Sequence, residues 1–384
     1  MGMANETGDP LRAIALEGRD WLLDEAAPLW APIGYSWGPL FPERMSIEGV
    51  HDAVPHRLFV QARHIFSYIQ AGRMGWSGPW KEQVGRQIDA VLAHGRRADG
   101  FFFHKFALEG GAHDGRADLY DQAFMLLALA HASAALERPD LIEAAIALDD
   151  VLDHHWRLPH GGYFEGEIAQ CPPYRQNPHM HLLEAFIALE AASGLERWKR
   201  KAEHLTGLCA NCFIDKQTGA LLEYFDASLE PLPGLPGQLV EPGHCFEWAW
   251  LFEVAAPWLG PEAIRLSDGL VAFARAHGID SDRGVTINEV TTAGLVHNAH
   301  ARLWPQTERL KAALARYRRT RDPAERDEAI SAYRGLVKYF DVPQRGAWRD
   351  KLKPDGSWID EPAPGSSLYH ISCALIELWE TAEG

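Results

Sequence analysis

A sequence pattern that recurs about every 60 residues restricts the fold of this chain more than any other feature. Six times, a glycine-rich or strand-like stretch passes directly into a strongly apolar, helix-like segment. A polar or basic residue marks each start, and the successive gaps between these markers are 64, 61, 63, 58 and 68 residues. The markers are His56, Tyr120, His181, His244, Arg302 and His370. Such a period over most of a chain predicts one supersecondary unit repeated six times.

Each repeat has the pattern of a helical hairpin. The first segment is apolar on most faces, as in "LYDQAFMLLALAHA" from Leu119, and the second is amphipathic, as in "PEAIRLSDGLVAFARAHG" from Pro261. A helix that is apolar all round is buried, whereas an amphipathic helix covers a core with one face. The pattern therefore predicts inner apolar helices wrapped by outer amphipathic ones. Gly- and aromatic-rich pieces such as "TGALLEYFD" predict small β-hairpins on one rim.

Two all-α architectures suit six such hairpins. They can close into an (α/α)6 barrel, with residues 1–384 as a single catalytic domain, or stack into an open solenoid like helical-repeat binding scaffolds. We favour closure because the helix starts are chemically varied, whereas a solenoid mostly repeats a packing consensus. In a closed barrel the inner helices run in one direction, so their N-terminal ends gather at one mouth. The residues predicted to converge there are Arg57, Tyr120, Asn177, His181, His244, Glu247, Trp304 and His370.

Composition restricts the partners and the location. A formal net charge of -16 and a pI near 5.5 argue against nucleic acids and anionic membrane surfaces, which attract basic proteins. The sequence contains no run of about 18 apolar residues. The N-terminal stretch "MGMANETGDP" lacks the basic and apolar regions of a secretory signal. We therefore expect a cytoplasmic protein that does not bind membranes or nucleic acids.

Histidine and glutamate recur at the same place in two repeats. His181 with Glu184, and His244 with Glu247, stand three residues apart, so each pair shares one face of its helix. Di-iron bundles use such pairs, but in the opposite order and with further Glu ligands, so we predict no metal. Polar groups satisfied within the core would explain either pair alone. They do not explain both pairs together with His370 at a matching place in the repeat.

The motifs of several common reaction classes are missing from the sequence. No G-x-S-x-G, P-loop or dinucleotide fingerprint occurs between a strand and a helix, so acyl, phosphoryl and hydride transfer have no support. Imidazoles with a pKa of about 6.5 can accept and donate protons at the same pH. The pattern therefore favours proton transfer without a cofactor.

Five segments in order resemble the N-acylglucosamine 2-epimerase family, which includes sugar 2-epimerases, mannose isomerases and sulfoquinovose isomerases. They are "RLFVQARHIFSY", "NPHMHLLEAF", "EPGHCFEWAWL", "LWPQTE" and "SSLYHI". The resemblance spans essentially the whole chain and implies an (α/α)6 barrel, in agreement with the repeat count. The partner it implies is a monosaccharide substrate; association into a homo-oligomer is left open.

The resemblance also implies roles for individual residues. His244 and His370 would be the acid–base pair acting at C1 and C2 of an open-chain sugar. Glu247 would support this catalytic centre, and Arg57 would hold the oxygen that becomes the enediolate. The substrate-binding residues would be Asn177, His181, Glu184, Trp304 and Tyr120.

The expected reaction is isomerisation of an aldose to its ketose, of the mannose–fructose type, through a cis-enediol. Epimerisation at C2 of N-acylglucosamine or another monosaccharide shares the first proton transfer and is the first alternative. A disaccharide is disfavoured, because cellobiose epimerases carry a Trp five residues before the last His, where this chain has Gly365. An inverting glycosidase is a further alternative and needs two carboxyl groups about 6.5–9.5 Å apart. A pure binding scaffold is the third.

Overall fold

The structure is a computed structural model that describes residues 9–384. Residues 1–8, most of the stretch used above to argue against a secretory signal, lie outside the described residues. In chain order the α-helices are α1 Pro10–Asp20, α2 Ala27–Leu29, α3 Leu58–Arg73, α4 Trp80–Gly95, α5 Leu119–Leu136, α6 Asp140–His155, α7 Asn177–Ser193, α8 Glu196–Leu208, α9 Pro242–Leu259, α10 Pro261–His277, α11 Trp304–Thr320, α12 Pro323–Val337 and α13 Ser367–Glu383.

The strands are short and all of their pairings are antiparallel; four of the nine pairings are hairpins, and the other five join strands that are distant in sequence. In chain order they are β1 Ile33–Tyr35, β2 Gly38–Leu40, β3 Arg44–Met45, β4 His56–Arg57, β5 Lys105–Phe106, β6 Ala112–Asp114, β7 Tyr174–Arg175, β8 Tyr224–Phe225, β9 Leu239–Val240, β10 Ile279–Asp280, β11 Val285–Thr286, β12 Glu289–Thr291, β13 Val296–Asn298, β14 Ala301–Arg302, β15 Lys351–Leu352 and β16 Ala363–Pro364.

The helices form two concentric layers. The inner ring contains α3, α5, α7, α9, α11 and α13, and each of these packs against the next. Helix α13 packs against α3, so the ring closes. The outer layer contains α1, α4, α6, α8, α10 and α12, each packed on an inner helix. The predicted (α/α)6 barrel is confirmed, and the open solenoid is wrong.

Both ends of the chain build the sixth hairpin. Helix α13 is the last element, and its outer partner is α1 from the start of the described chain. The segment after α1 is held by distant residues: the Trp30 ring stacks on Trp348 with centroids 4.4 Å apart, and its Nε1 donates to the Gly346 carbonyl at 3.0 Å. The repeat pattern does not reveal this partner, because the first marked repeat begins at His56.

Helix α5 is long and apolar enough to cross a membrane, and no other helix of the described chain passes that test. However, 72% of its 18-residue window is buried inside the barrel. An inner helix is contacted by other helices on every side, which requires apolar side chains all round. Its hydrophobicity is therefore that of a core helix.

Short rim strands lie directly before three of the inner helices. Strand β4 runs into α3, and β7 and β14 end shortly before α7 and α11. Three inner helices also have a proline in their first turn, at Pro178, Pro242 and Pro305. Proline is favoured there, because its fixed φ suits the helix and its missing N–H would have no intrahelical partner. The starts of the inner helices are thus fixed at one end of the barrel.

Candidate active site

A cavity of about 260 Å³ opens between the N-terminal ends of the inner helices. Every inner helix contributes at least one side chain, and the rim connections add others. The lining residues are Arg63, Tyr120, Arg175, Asn177, His181, Glu223, Tyr224, Glu241, His244, Glu247, Arg302, Trp304 and His370. All residues proposed from the sequence lie here except Arg57 and Glu184. The six helix N-termini add positive potential to this mouth.

Arg57 lies outside the cavity, contrary to the expectation from the sequence. Its side chain forms an ion pair with Glu43, and its backbone N–H donates to the same carboxylate at 2.9 Å. It is the last residue of β4, and its side chain lines a separate hollow on the rim with Arg44 and Lys105. The repeat located the correct end of the barrel but not the direction of this side chain.

Arg63, in the second turn of α3, is the arginine that enters the cavity from this helix. Its Nη2 donates to the Tyr120 hydroxyl at 2.6 Å, and its Nη1 donates to the Ser366 carbonyl at 3.3 Å. It is buried over aromatic rings, the nearest being Phe124 at 4.2 Å, and no ion pair with a carboxylate is found for it within residues 9–384. A buried cation without a fixed counter-ion is suited to hold a developing oxyanion.

His244 lies in the first turn of α9 and is held by a glutamate from outside the helix. Its Nδ1 lies 2.9 Å from Oε2 of Glu223, just before β8, and 3.9 Å from Oε2 of Glu241. Burial alone would lower the pKa of His244, but the two carboxylates outweigh burial and raise it to about 10. His244 is therefore protonated at neutral pH, and its Nε2–H remains available as a donor to a ligand in the cavity.

His370 has the same type of partner but the opposite charge state. Its Nδ1 lies 2.8 Å from Oε1 of Glu308, whose Oε2 lies 2.7 Å from Nζ of Lys311. Burial, with the nearby Arg63 and Lys311 cations, lowers the pKa of His370 well below its usual range. The imidazole is therefore neutral, and a proton on Nδ1 toward Glu308 leaves a lone pair on Nε2.

His244 and His370 are thus a cationic and a neutral imidazole in one cavity. Both lie close to the Trp304 ring, whose centroid is 4.8 Å from that of His244 and 5.7 Å from that of His370. Environments that push the pKa values of two titratable groups apart assign one as acid and the other as base. This site can therefore take a proton from one atom of a ligand and supply a proton to another.

His181 is the third histidine of the cavity, and Glu184 lies behind it. The His181 Nδ1 is 3.1 Å from Oε2 of Glu184, and the Tyr369 hydroxyl donates to the other oxygen of that carboxylate. Burial lowers the pKa of His181 to about 4, so its Nε2 is an acceptor. Glu184 is not among the lining residues, so it positions His181 and does not itself face the cavity.

Two other predicted residues present polar atoms that lack a partner. Oε1 of Glu247 and Oδ1 of Asn177 are buried and have no hydrogen-bond partner among residues 9–384. Burial, followed by the Glu308 carboxylate, raises the pKa of Glu247 well above its usual range, so this group is a neutral acid. Buried polar atoms without partners are costly, and a polyhydroxylated ligand in the cavity would satisfy them.

Two groups of side chains have the composition of metal ligands. Glu223, Glu241 and His244 form one group, and Glu247, Glu308 and His370 form the other. In both groups the histidine Nδ1 is already hydrogen bonded to a carboxylate. In the second group the Lys311 ammonium also occupies a Glu308 oxygen, and this charge opposes a bound cation.

Gly365 is enclosed by backbone. A Cβ at this position would lie 2.4 Å from the Pro42 carbonyl oxygen and 3.1 Å from that of Glu43. Its own N–H donates to the Glu43 carbonyl at 2.9 Å. The position has no room for a side chain reaching into the mouth, and a stacking residue for a second sugar ring cannot be placed here.

Sequence reasoning missed several functional side chains. Arg63 and Glu308 stand inside the segments "RLFVQARHIFSY" and "LWPQTE", and Glu223 stands inside "TGALLEYFD". One signal was available for Arg63: it lies in an apolar inner segment without an acidic residue three or four positions away to pair with it. Glu223 and Lys311 gave no comparable signal.

Comparisons with known proteins show the family to which this sequence is related. A sequence profile of the N-acylglucosamine 2-epimerase (GlcNAc 2-epimerase) family matches residues 43–374. A "Mannose-6-phosphate isomerase" of Rhizobium meliloti (strain 1021) is 38% identical over 369 residues, covering 93% of this chain and 95% of that protein. A "D-mannose isomerase" of Thermobifida fusca is 28% identical over 323 residues, covering 73% of this chain and 76% of that protein.

A solved structure reproduces the fold. The cellobiose 2-epimerase of Bacillus thermoamylovorans B4167 superposes with a TM-score of 0.86, at 18% identity, over 96% of this chain and 99% of that chain. At this identity the likeness concerns the architecture alone. It agrees with the two concentric layers of helices described above.

Proposed function

The chain belongs to the N-acylglucosamine 2-epimerase family, and we propose that it is a cofactor-independent isomerase that converts an aldose of the mannose type into its ketose. The substrate is a monosaccharide in its open-chain form, and the intermediate is a cis-enediol. We also propose that the whole chain acts as one catalytic domain in the cytoplasm.

One observation carries the proposal: two imidazoles with opposite charge states line one small cavity beside a buried arginine. His370 is neutral, with its Nε2 lone pair available to take the proton from C2. His244 is cationic and can donate from Nε2 to O1 as the C2 proton leaves. The guanidinium of Arg63 stabilises negative charge that develops on O1.

The two steps balance without a further reactant. In the first, His370 gains the C2 proton and His244 gives a proton to O1, which forms the enediol. In the second, His370 returns its proton to C1, and His244 recovers a proton from O2 as the C2 carbonyl forms. Both histidines end in their starting states, and the product is the ketose.

Five other lining residues hold and open the sugar. His181, neutral and positioned by Glu184, can accept the anomeric hydroxyl proton and so assist ring opening. Asn177 and the protonated Glu247 can form hydrogen bonds with hydroxyl groups, and the Trp304 indole packs against the carbon chain. Tyr120 orients Arg63 through its hydroxyl.

Epimerisation at C2 is the second candidate. The observation that favours it is that both histidines lie close to the Trp304 ring, with centroids 4.8 and 5.7 Å from its own. If the carbon chain lies along the indole, His370 can take the C2 proton from one face and His244 can return one to the other. An inverting glycosidase is less well supported, because Glu223 in the cavity is already bound to His244.

Proton NMR in heavy water separates the two reactions. Mannose, glucose and N-acetylmannosamine are offered separately to the enzyme. Fructose formed from mannose with solvent deuterium at C1 is the expected result. A C2-deuterated epimer without any ketose would replace the isomerase by an epimerase, and no exchange with any sugar would reject both.

A further inference from the structure

We infer that the rim of the cavity contains a subsite for an anionic group, formed by Arg175 and Arg302. The natural substrate is then an aldose that carries a phosphate or a sulfonate at the end remote from C1. This assignment rests on the proposed function, since it concerns the part of the sugar that does not react.

Arg175 presents one side of its guanidinium to a ligand. It lies in β7, two positions before the first residue of α7, and lines the cavity. Its Nε and Nη2 donate to Oε2 of Glu165 at 3.0 and 2.9 Å, and that carboxylate is buried. No hydrogen bond within residues 9–384 uses its Nη1. Glu165 thus fixes the orientation of the guanidinium, and Nη1 remains available as a donor.

Arg302 supplies a second guanidinium on the rim. It lies in β14, two positions before the first residue of α11, and also lines the cavity. Its Nε lies 3.8 Å from Oδ2 of Asp350, a separation too long for a hydrogen bond. In the described part of the chain its side-chain nitrogens form no hydrogen bond, so all of its donors are available.

Exposure orders the cavity from its rim to its floor. The side chains of Arg175 and Arg302 are 41% and 44% exposed, whereas those of His244 and His370 are 10% and 7% exposed. The reacting carbons C1 and C2 must reach the histidines on the floor. The other end of an open-chain aldose therefore points back to the rim, between the two guanidiniums.

The charges on the rim favour an anion over a neutral hydroxyl. A hydroxyl needs only one donor or acceptor, whereas the three terminal oxygens of a phosphate or sulfonate match two guanidiniums. Glu165 and Asp350 lie beside the two guanidiniums. Glu241 also lines the cavity, but burial raises its pKa to about 7 against the pull of His244, so its repulsion of an anion is reduced near neutral pH. The N-termini of α7 and α11, directly after the two strands, also favour an anion.

The test compares neutral and anionic sugars. The value of kcat/KM is measured for mannose, mannose 6-phosphate and mannose bearing a 6-sulfonate in place of the 6-hydroxyl. The variants are Arg175→Gln, Arg302→Gln and the double variant. Arg44→Gln, at a rim arginine that pairs with Asp52 outside the cavity, is the matched control.

We expect the wild type to prefer at least one anionic sugar by about tenfold or more. Each glutamine should lower kcat/KM for that sugar about tenfold, mainly through KM, because a charged hydrogen bond is lost. Turnover of mannose should change less than about twofold. The preference should shrink with added salt, since the arginines are exposed. Whichever anionic sugar is preferred identifies the group as phosphate or sulfonate.

Two results would overturn the subsite. One is that the wild type shows no preference for an anionic sugar. The other is that the glutamine variants lose the same factor in kcat/KM for mannose as for the anionic sugar. If no sugar is turned over, the proposed function fails, and the anion subsite is then tested by calorimetry with inorganic phosphate and sulfate. Binding of either anion to the wild type but not to the double variant would support the subsite. Absence of anion binding to the wild type would reject the subsite.

Discussion

Replacing Lys311 with methionine should destabilise the protein strongly, although this lysine contacts no solvent. Lys311 is fully buried below the cavity, 2.7 Å from the Glu308 carboxylate, with its Nζ 3.7 Å from the centroid of the Trp250 ring. Burial alone would lower the pKa of Lys311, but neighbouring acidic groups, chiefly Cys373 and Glu308, outweigh burial and raise it. This buried cation therefore balances the buried Glu308 carboxylate beside it.

The expected loss of stability arises because the substitution leaves the Glu308 carboxylate buried without its partner. Methionine fills the same space as the lysine stem, so little packing is lost. Removing one partner of a buried ion pair costs about 3–5 kcal/mol, because the other charge stays buried and unpaired. Unfolding entropy of about 2.1 cal/mol/K per residue gives about 0.8 kcal/mol/K for a chain of 384 residues. The melting temperature should then fall by about 4–6 °C.

The loss should also depend on pH. Burial already raises the pKa of Glu308, and removing the Lys311 charge raises it further. A carboxyl whose pKa is raised in the folded state binds more protons there than in the unfolded state, so stability falls as pH rises above its unfolded value of about 4.3. The difference between wild type and variant should therefore be smallest near pH 5 and largest near pH 8.

Thermal melting of five proteins tests this reasoning: the wild type, Lys311→Met, Glu308→Gln, their double variant and the control Lys81→Met. Lys81→Met, at an exposed lysine of helix α4, is the matched control and should change the melting temperature by less than about 1 °C. The double variant Lys311→Met/Glu308→Gln removes both charges and should be less destabilised than the sum of its single changes. A melting temperature for Lys311→Met within about 1 °C of wild type would refute the argument, as would strict additivity in the double variant.

Three further outcomes are expected. His244→Ala and His370→Ala should each lower kcat about 100-fold or more while the helical circular dichroism stays at the wild-type level, and retention of a tenth of the activity in either would exclude the pair. Arg63→Met should lower kcat about 100-fold, whereas Arg57→Gln should change it less than about threefold; the reverse order, in the same assay, would return the oxyanion role to Arg57. Prolonged chelation should leave activity unchanged, and loss followed by recovery with a divalent ion would contradict the metal-free mechanism.

The architecture was predictable because it depends on periodicity. The alternation of apolar and amphipathic segments specifies inner and outer helices, and the recurrence of "LYDQAF" or "GHCFEW" fixes where the inner ones begin. The repeat period did not predict the outer partner of α13, because that partner is α1, from the start of the described chain. Ring closure brings together helices that are far apart in sequence, and a local sequence pattern contains no information about such contacts.

The candidate site was predictable only as far as its helix starts. Side-chain direction depends on the rotation of each helix about its axis, and one residue changes that direction by about 100°. Arg57 and Arg63 therefore point in different directions although they lie only six residues apart: the first pairs with Glu43 on the rim, and the second enters the cavity. A repeat period near 60 residues is too coarse to fix this rotation.

Charge states were the least predictable feature, because the partners of the histidines come from other repeats. His181 and Glu184, three residues apart, do form the expected contact. His244 does not form the equivalent hydrogen bond with Glu247, although the spacing is the same. Its partner is Glu223, 21 residues earlier, whereas the partner of His370 is Glu308, 62 residues earlier.

These two long-range contacts set the charge states of His244 and His370. Glu223 acts on His244 together with a second carboxylate and makes it cationic, whereas Glu308 is shared with Lys311, whose charge keeps His370 neutral. Identical side chains at equivalent helix starts thus differ in charge state through neighbours that only the closed barrel brings together. An exchange of roles between the histidines should accordingly require changing these neighbours, Glu241 and Lys311, and not the histidines themselves.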